Sequence, residues 1–444
     1  MTMQLSNRIG YVIPEWPGQT HVWMWREICH MREYGVDIRV FSTRAPSERD
    51  RARHSFAEQA KSATTYLWPM SLTSLIGAVL GEMLLHPIGF LRCIKLAFTL
   101  PIDARPRWRK LLPLIAPACY MARQVRRLKI RHLHSQVPAN STILCMMVKR
   151  LTGVPFSQMV NANLEWWGGA MREKFLDAKF TTFCTKWMVL QMQRDYPDID
   201  PATYGLCRVA VDTRRWILPA PRQSSSKSLK ILTVSRLVPG KGQDDLLKAI
   251  ALLRQRDCEV SLRIGGDGPE LANLEKLVAE LGINRCVTFL GSISEDHFFQ
   301  EMIAADAFVL ASHSEPMGVV YMEAMATQTP TIGTAAGGVG EIITSGEDGL
   351  LVPPFDPKAI ADAVQSLIDH PELREKFGHA GRAKVLREFD SRFWAAELYR
   401  RIFGSPPPSE KDMRSANTGP SSSYEPGNAT SGPVIGAKTA ALIQ

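Results

Sequence analysis

The feature that most constrains this chain is an alternation of short apolar runs with longer amphipathic stretches, which occurs twice along its 444 residues. The first series opens with an apolar run at residues 9–13, an amphipathic stretch at 20–34 and a second run at 37–42. Short apolar runs suit buried strands, and stretches with a period of 3.6 residues suit helices that cover them. This order predicts an α/β fold in which helices pack on the faces of a parallel sheet.

Further runs of strand-like length follow in both series. In the first series they lie at residues 130–133, 156–160, 180–184 and 208–211. In the second series, strands are expected at residues 229–235, 260–265, 287–290, 307–311 and 330–333. Each series is therefore predicted to form a Rossmann-like sheet of its own.

The boundaries between these parts follow from composition. Residues 219–228 are rich in Pro and Ser and lack apolar periodicity, so they form the predicted linker. We expect one domain at residues 1–218 and a second at 229–387, with a further helix at 388–403. The remaining residues, 404–444, are dominated by Pro, Ser, Gly and polar side chains, a composition typical of disordered tails.

Positive charge is concentrated in the first half of the chain. The whole sequence carries 53 Lys and Arg against 44 Asp and Glu, whereas residues 1–222 alone carry 31 against 16. A basic surface of this kind meets phosphate-bearing ligands, lipid head groups or nucleic acid, or is simply well solvated. Nucleic acid ranks last, because no recognition motif for it accompanies the charge.

Two features indicate a reducing compartment. The eight cysteines are scattered, without a C-x-x-C pair or a spacing to histidines that would suit a metal. The chain enters an apolar run at residue 9 without the charged leader, apolar core and cleavage site of a signal peptide. We therefore expect reduced thiols and a cytoplasmic location.

The longest apolar stretch, residues 72–91, is interrupted by Glu82, His86 and Pro87. A membrane-spanning helix needs about 20 predominantly apolar residues, so this stretch is predicted to be a buried or interfacial helix. A tryptophan and two basic clusters follow it, at residues 105–110 and 123–131. That pattern favours peripheral contact with an anionic membrane at the inner face of the plasma membrane, although helices packed on the sheet would show it too.

The segment with the most chemistry is residues 311–341. A predicted strand ends in a polar loop that carries Glu315 and Gly318, and a helix begins at about Val319 and carries Glu323. Ligands bind at this edge of a parallel sheet, outside the carboxyl ends of the strands. Two carboxylates that flank the unpaired N–H groups of a helix N-terminus suit a polyhydroxylated ligand, such as a ribose plus a hexose. Exposed carboxylates without a role would look the same in isolation.

Two further loops follow strands of the second series. Residues 233–242 carry Arg236 and Lys241, a pair of cations that fits a diphosphate and would offset the charge growing on a phosphate leaving group. Residues 264–270 carry Gly266, Asp267 and Gly268, where the glycines permit close approach of the backbone to a ligand. Neither loop identifies a ligand by itself.

Taken together, these motifs resemble the retaining glycosyltransferases of family 4, within the GT-B superfamily. The match runs without a gap over residues 229–387, in the order R-x4-K, G-D-G-P-E, A-D-x-F-V-L-x-S, E-x7-E, A-M-A-x-x-x-P and G-G-x-x-E. The resemblance implies two facing Rossmann-like domains and a last helix that packs back on the first. It also implies transfer with retention of configuration, without a metal or another cofactor.

The same resemblance implies the roles of single residues. Arg236 and Lys241 would hold the diphosphate of a UDP- or GDP-linked sugar and, with Glu315, form the catalytic group. Glu315 and the N–H of Gly318 would hold the transferred sugar, and Glu323 the ribose hydroxyls. The complete donor site implied is Arg236, Lys241, Gly266, Asp267, Gly268, Glu315, Met317, Gly318, Val319 and Glu323.

The first half is similar, less closely, to transferases that build bacterial exopolysaccharides and colanic-acid-type repeat units. Those carry S-E-T-F-I-x-R-E-I after the first strand, and residues 20–28 here read T-H-V-W-M-W-R-E-I, so His21 replaces the acid. Their H-A-H-F begins at His134 here, and their sugar-contacting histidine is Asn161. Asparagine cannot shuttle a proton near neutral pH, which leaves a weak or inactive enzyme open. The acceptor-side candidates are Gly18, His21, His134 and Asn161.

These observations predict an enzyme that transfers a hexose from a nucleotide-diphosphate sugar to a growing glycan or a lipid-diphosphate-linked saccharide. Two alternatives stay open. A nucleotide-sugar epimerase of the same architecture would convert the donor without an acceptor. A non-catalytic module would bind nucleoside diphosphates and form no product.

Overall fold

The structure, a computed structural model, describes residues 7–47, 52–217 and 228–408. Both of its sheets belong to one compact unit, Met1–Pro407. The predicted linker, apart from Ser228, and the predicted tail beyond residue 408 lie outside the described residues.

The first sheet has seven strands, all parallel. They are β1 (Arg8–Glu15), β2 (Asp37–Arg44), β3 (Thr64–Tyr66), β4 (His132–Ser135), β5 (Phe156–Val160), β6 (Phe180–Phe183) and β7 (Tyr204–Leu206). Their order across the sheet is β3-β2-β1-β4-β5-β6-β7. The chain winds outward from β1 and then returns to the other side of it, so the crevice of this sheet lies between the carboxyl ends of β1 and β4.

The helices of the first half pack around this sheet. They are α1 (Val22–Glu33), α2 (Ala57–Ser62), α3 (Leu72–Leu85), α4 (Pro87–Thr99), α5 (Arg107–Leu111), α6 (Ile115–Arg127), α7 (Asn140–Thr152), α8 (Met171–Asp177) and α9 (Lys186–Asp195). Two of these helices begin with a side-chain cap. The Ser71 hydroxyl accepts a hydrogen bond from Ser74 N ahead of α3, and the Thr185 hydroxyl accepts one from Met188 N ahead of α9, each at 3.3 Å.

The second half also forms a parallel sheet with helices packed around it. Its parallel strands are β8 (Leu229–Val234), β9 (Val260–Gly265), β10 (Val287–Gly291), β11 (Ala307–Leu310), β12 (Thr331–Thr334) and β13 (Leu350–Val352), in the order β10-β9-β8-β11-β12-β13. Its helices are α10 (Gln243–Gln255), α11 (Leu271–Glu280), α12 (Glu295–Ala304), α13 (Val319–Ala326), α14 (Val339–Ile342), α15 (Pro357–Asp369), α16 (Pro371–Glu388) and α17 (Ser391–Phe403). The predicted fold class, two Rossmann-like parallel sheets, is confirmed.

The predicted strand at residues 208–211 is wrong, because β7 closes the first sheet before it. Val211 bonds instead with the segment that enters α17. Val211 N donates to Phe389 O at 3.1 Å, and Ser391 N donates to Val211 O at 3.0 Å. The backbone groups that a strand would use are taken by a distant part of the chain, which a local apolar pattern does not indicate.

The apolar stretch at residues 72–91 is not one helix. It divides between α3 and α4 at His86, because Pro87 cannot donate the N–H that would continue α3 but suits the first turn of α4. Much of its apolar surface is exposed, not buried. No single helix in the described ranges has the length and apolar character to cross a membrane, and α3 with α4 would qualify only as a pair bent by 114°.

The last helix, α17, packs on α1, as the resemblance implied. Tyr34 Oη donates to Arg392 O at 3.0 Å, and Leu398 joins a hydrophobic cluster that otherwise consists mainly of first-half side chains. A separate cluster contains buried side chains of both halves, such as Met188 and Met325. The two sheets are therefore held together by apolar packing as well as by the returning helix.

Replacing Leu398 with alanine should lower the free energy of unfolding by about 2–5 kcal/mol, because truncation of a buried leucine leaves a cavity. Phe393→Ala, on the same helix, removes a side chain that is 59% exposed and should change this free energy by less than about 0.5 kcal/mol. Urea unfolding followed by circular dichroism measures both variants. Equal effects would contradict the packing of α17 on the first half.

Candidate active site

Three loops of the second half converge because the strands that precede them are neighbours. β9, β8 and β11 lie side by side and run in the same direction, so their carboxyl ends meet at one edge of the sheet. These strands lead into the loops of Gly266, Arg236 and Glu315, respectively. The motifs that the sequence separates by many residues are thereby brought together.

Glycine is required where two of these loops touch. A Cβ atom on Gly266 would lie 1.9 Å from the carbonyl oxygen of Ser235, and one on Gly268 would lie 1.9 Å from that of Leu237. Gly266 also has a φ of +132°, which side chains disfavour. These glycines therefore allow their loop to pack directly on the loop that carries Arg236.

Lys241 and Glu315, 74 positions apart, form an ion pair across two of the loops. Lys241 Nζ donates to Glu315 Oε2 at 2.7 Å, and Ser312 Oγ donates to the same oxygen at 3.3 Å. In this state the two charges neutralise each other. A diphosphate would compete with Glu315 for the lysine and free the carboxylate to accept hydrogen bonds from hydroxyl groups.

The G-G-x-x-E motif supports this arrangement from the next loop. Gly338 N donates to Glu315 O at 3.0 Å, which holds the backbone of the Glu315 loop. Glu341 reaches the first half, where its carboxylate accepts a hydrogen bond from Trp187 N at 2.7 Å and pairs with Arg208 at 2.8 Å. The motif therefore joins the loop of the second sheet to the N-terminus of α9.

A cavity of about 530 Å³ opens between the two halves at this edge. Its walls come from the loop after β1 and from α1 on one side, and from the loops after β8 and β9 and the start of α13 on the other. The predicted site residues that line it are Gly18, His21, Arg236, Gly266, Asp267, Val319 and Glu323. Residues predicted for the donor from one half and for the acceptor from the other thus face the same space.

The other predicted donor residues lie in the same loops but do not line this cavity. They are Lys241, Gly268, Glu315, Met317 and Gly318. Met317 is 5% exposed and packs in the cluster that joins both halves. Gly318 has a φ of +75° and begins α13, so the backbone turns there into the helix.

His21 is held at the rim of the cavity by its own turn. Its Nδ1 atom accepts a hydrogen bond from Gly18 N at 3.0 Å, and its ring stacks on Trp16 with centroids 5.9 Å apart. A Cβ atom on Gly18 would approach the ring to 2.7 Å. The glycine therefore permits the close approach that fixes the imidazole.

Arg26 is a site residue that the sequence prediction missed. From α1 it reaches the second half, where its Nη2 atom donates to Glu323 Oε1 at 2.5 Å and to Glu295 Oε1 at 2.8 Å. Burial by itself would lower the pKa of Arg26, but the two carboxylates raise it above its ordinary value, so the side chain stays charged. The stretch at residues 20–28 contained this arginine, but nothing in it indicated a carboxylate partner almost 300 positions away.

Glu295 shares this network. Burial raises the pKa of its carboxyl group, but Arg26 and Arg215 more than offset this effect and leave it below its ordinary value. Glu323 is buried beside it, and burial raises the pKa of Glu323 against the opposing effect of Arg26. The predicted ribose-binding carboxylate is therefore already oriented by the other half of the molecule.

The acceptor-side prediction for His134 is wrong. The imidazole is completely buried inside the first sheet, where Nδ1 lies 2.8 Å from Ser157 Oγ and the ring packs against Tyr11. Burial lowers the pKa of His134 to about 3, so the imidazole is neutral. Because it is completely buried, it cannot contact a ligand in the cavity. Asn161 follows β5 and is half-buried, but it does not line the central cavity.

A second cavity, of about 460 Å³, adjoins the first sheet at its carboxyl edge. Glu15 lines both this cavity and the central one. The second cavity is also lined by Arg44, Lys110 and the indole of Trp166, which is 59% exposed. Arg44 Nε donates to Glu15 Oε2 at 2.8 Å within this cavity, and the indole beside Arg44 and Lys110 suits a sugar that carries a phosphate group.

One cluster in the described part of the chain has the spacing of metal ligands. Atoms of Asp244, Asp245 and His313 lie within 4.8 Å of one another. Lys248 Nζ lies 2.9 Å from Asp244 and 3.3 Å from Asp245, so an ammonium group already balances these carboxylates. None of these residues lines the central cavity.

The chain is similar in sequence to known glycosyltransferases. Residues 215–384 match the family model described as "Glycosyl transferases group 1". The chain is 37% identical over 147 residues to an alpha-D-kanosaminyltransferase of Streptomyces kanamyceticus, covering 33% of this chain and 38% of that protein. It is 33% identical over 181 residues to a GDP-mannose-dependent alpha-(1-6)-phosphatidylinositol monomannoside mannosyltransferase of Mycolicibacterium smegmatis, covering 39% and 47%. The matches thus span less than half the length of these curated relatives.

Solved structures share the whole architecture at low identity. The Anabaena protein Alr3699/HepE in complex with UDP-glucose has a TM-score of 0.67 and 16% identity, over 90% of this chain and 100% of its own. Sucrose-phosphate synthase from Thermosynechococcus elongatus has a TM-score of 0.67 and 18% identity, over 89% and 99%. These similarities show the fold. The second half of the chain, residues 215–384, is thus similar to group 1 glycosyltransferases, and the chain shares the two-domain fold of these solved structures.

Proposed function

We propose that this chain is a retaining glycosyltransferase that moves a hexose from a UDP- or GDP-linked donor to a saccharide acceptor. Two observations at one edge of the second sheet support the proposal. Arg236 and Glu323 line the central cavity, and Lys241 pairs with Glu315 between the adjoining loops. A nucleotide-diphosphate sugar presents the complementary groups in the same order: phosphates, sugar hydroxyls and ribose hydroxyls.

Donor binding would change the partners that these side chains have now. Lys241 would exchange Glu315 for the diphosphate, and the released carboxylate would accept hydrogen bonds from the hexose. Glu323 has a second oxygen beside the one that Arg26 occupies, so it could bind ribose hydroxyls without losing the arginine. The nucleotide would then lie between α1 and the loops of the second sheet.

The reaction would break the bond between the anomeric carbon and the phosphate oxygen and form one to an acceptor hydroxyl. Negative charge grows on the diphosphate as the bond breaks, and Arg236 and Lys241 would stabilise it without a metal ion. The leaving phosphate oxygen would take the proton of the acceptor hydroxyl. Attack from the side of the leaving group accounts for retention of configuration.

The second cavity supports a transferase over an epimerase. It lies beside the proposed donor site and shares Glu15 with it, so an acceptor held there would place a hydroxyl group next to the donor. Trp166 can stack on a sugar ring, and Arg44 and Lys110 can bind a phosphate. We therefore propose a growing glycan or a lipid-diphosphate-linked saccharide as the acceptor. An epimerase needs no such second site.

The relatives support the choice of donors. The Mycolicibacterium smegmatis protein is a GDP-mannose-dependent mannosyltransferase, and the Anabaena protein was solved with UDP-glucose. Both donors are nucleotide-diphosphate hexoses. The proposed enzyme would accordingly be a hexosyltransferase.

A thermal-shift panel of UDP, GDP, ADP and their hexose derivatives should raise the melting temperature with at least one uracil or guanine ligand, because binding to the folded state stabilises it. The increase should persist in EDTA. Loss of the increase on chelation would contradict a metal-independent donor site. Binding without release of nucleoside diphosphate under any donor and acceptor pair would favour the non-catalytic module instead.

Glu323→Gln should weaken binding of the selected nucleotide by roughly tenfold or more, because hydrogen bonds to a charged group contribute about 1.5–3 kcal/mol. The matched control is Glu301→Gln, which also removes an ion-paired carboxylate of the second half but lies outside the cavity. Isothermal titration calorimetry measures both affinities. Unchanged affinity in the Glu323 variant would rule out the proposed ribose contact.

Lys241→Ala should slow transfer by roughly a hundredfold or more, because a group that stabilises charge in the transition state is lost. The melting temperature should change little by comparison. The matched control is Lys276→Ala, an exposed ion-paired lysine on α11. Release of nucleoside diphosphate from the donor is the readout, and an unchanged rate in the Lys241 variant would refute its diphosphate role.

A further inference from the structure

Half of the exposed large apolar side chains in the described residues lie on just two helices, α3 and α4. The nine side chains have exposed fractions of 45–79% and are Leu72, Ile76, Leu80, Met83, Leu84, Leu85, Ile88, Leu91 and Phe98. We call them the α3–α4 surface. Exposed large apolar side chains concentrated on two neighbouring helices indicate an interaction site, because such side chains usually occur singly on a protein surface.

The opposite faces of both helices are anchored to the first half. Glu82 of α3 is buried and pairs with Arg126 of α6. On α4, a Cβ atom at Gly89 would lie 2.7 Å from the carbonyl oxygen of Arg150, so this helix lies directly against α7. The apolar side chains therefore point away from a fixed base and are not an unpacked segment.

Neither helix can cross a bilayer from this position. Their 14 and 13 residues correspond to about 20 Å of helix each, against about 30 Å of hydrocarbon. The two axes are bent by 114° relative to each other. Such a pair can lie along a membrane surface, with its apolar side chains inserted to the depth of the acyl boundary.

Charge around the α3–α4 surface favours an anionic lipid. Residues 67–111 contain six Arg and Lys and only two Asp and Glu, and one of the two acids, Glu82, is already paired. Four of the six cations lie shortly after α4, in residues 105–110. Trp68 and Trp108, which are 61% and 42% exposed, lie before α3 and after α4 in the sequence, and exposed tryptophans are typical of membrane interfaces.

We infer that the α3–α4 surface docks the protein on an anionic lipid bilayer. Apolar side chains would enter the interface while the cations at residues 105–110 contact phosphate head groups. The sequence predicted contact with a membrane, and this inference adds which surface makes that contact. It does not depend on the chemistry of the donor site.

One consequence does rest on the proposed function. Phe98, Arg105 and Trp108 line a shallow surface cavity of about 600 Å³. Two positions further along the chain, Lys110 lines the proposed acceptor cavity. A docked protein would thus hold its acceptor cavity close to the head-group layer, where a lipid-diphosphate-linked saccharide presents its sugar.

Vesicle flotation tests the docking. The full chain should float with vesicles of phosphatidylglycerol and phosphatidylcholine at low salt, float less at high salt, and remain at the bottom with pure phosphatidylcholine. The double substitution Leu80→Glu and Leu84→Glu should abolish flotation, since it places two charges on the surface. The matched control is Leu190→Glu on α9, at a side chain that is 64% exposed and remote in sequence, and it should float like the unmodified protein.

Folding and self-association are checked on the same samples. Each variant should keep the melting temperature of the unmodified protein, because only exposed side chains change. Failure of the unmodified protein to float, or equal flotation of the Leu80/Leu84 variant, would overturn the inference. So would sedimentation that shows a dimer converted to a monomer by this variant without vesicle binding, because the surface would then join two copies of the chain.

Discussion

The buried guanidinium group of Arg26 is the interaction on which the cleft depends. It carries its charge from the first half into the second and pairs there with Glu295 and Glu323. A buried ion is tolerated only when it is paired, so loss of Arg26 would remove the cation that Glu295 and Glu323 share. Neutral groups also bond between the first and second halves. Gln19 Nε2, for example, donates a hydrogen bond to Ile293 O at 2.7 Å. The relative position of the two sheets at this edge is thereby specified.

The ion pair of Lys241 and Glu315 differs from the Arg26 network in its location and its exposure to solvent. Both of its members belong to the second half and are more accessible than Arg26, with side chains 19% and 10% exposed. Under the proposed function, a ligand that brings two phosphate charges would displace Glu315 from Lys241. The Arg26 network joins the two halves at the cleft, and the pair of Lys241 and Glu315 would exchange partners in the proposed reaction.

Prediction from the sequence succeeded where a feature depends on neighbours along the chain. Strands at residues 156–160 and 260–265 were predicted at their observed bounds, and the loops of Arg236, Gly266 and Glu315 were found because each follows its own strand. It failed where the partner is distant. Residues 208–211 bond with the entry to α17, and His134 has the polarity of a site residue but points into the sheet. Arg26 was overlooked because its importance comes entirely from Glu295 and Glu323.

The sequence by itself determined that two parallel sheets form and which loops carry cations, carboxylates and glycines, because apolar periodicity and turn chemistry act over a few residues. Only the tertiary structure decided which of these side chains share a space, because strand order within a sheet and the approach of one sheet to the other are set by contacts between residues far apart. For the same reason, it alone decided that the apolar stretch at residues 72–91 faces outward. Pro87 divides that stretch into two helices, and packing against α6 and α7 determines which of their faces remain exposed.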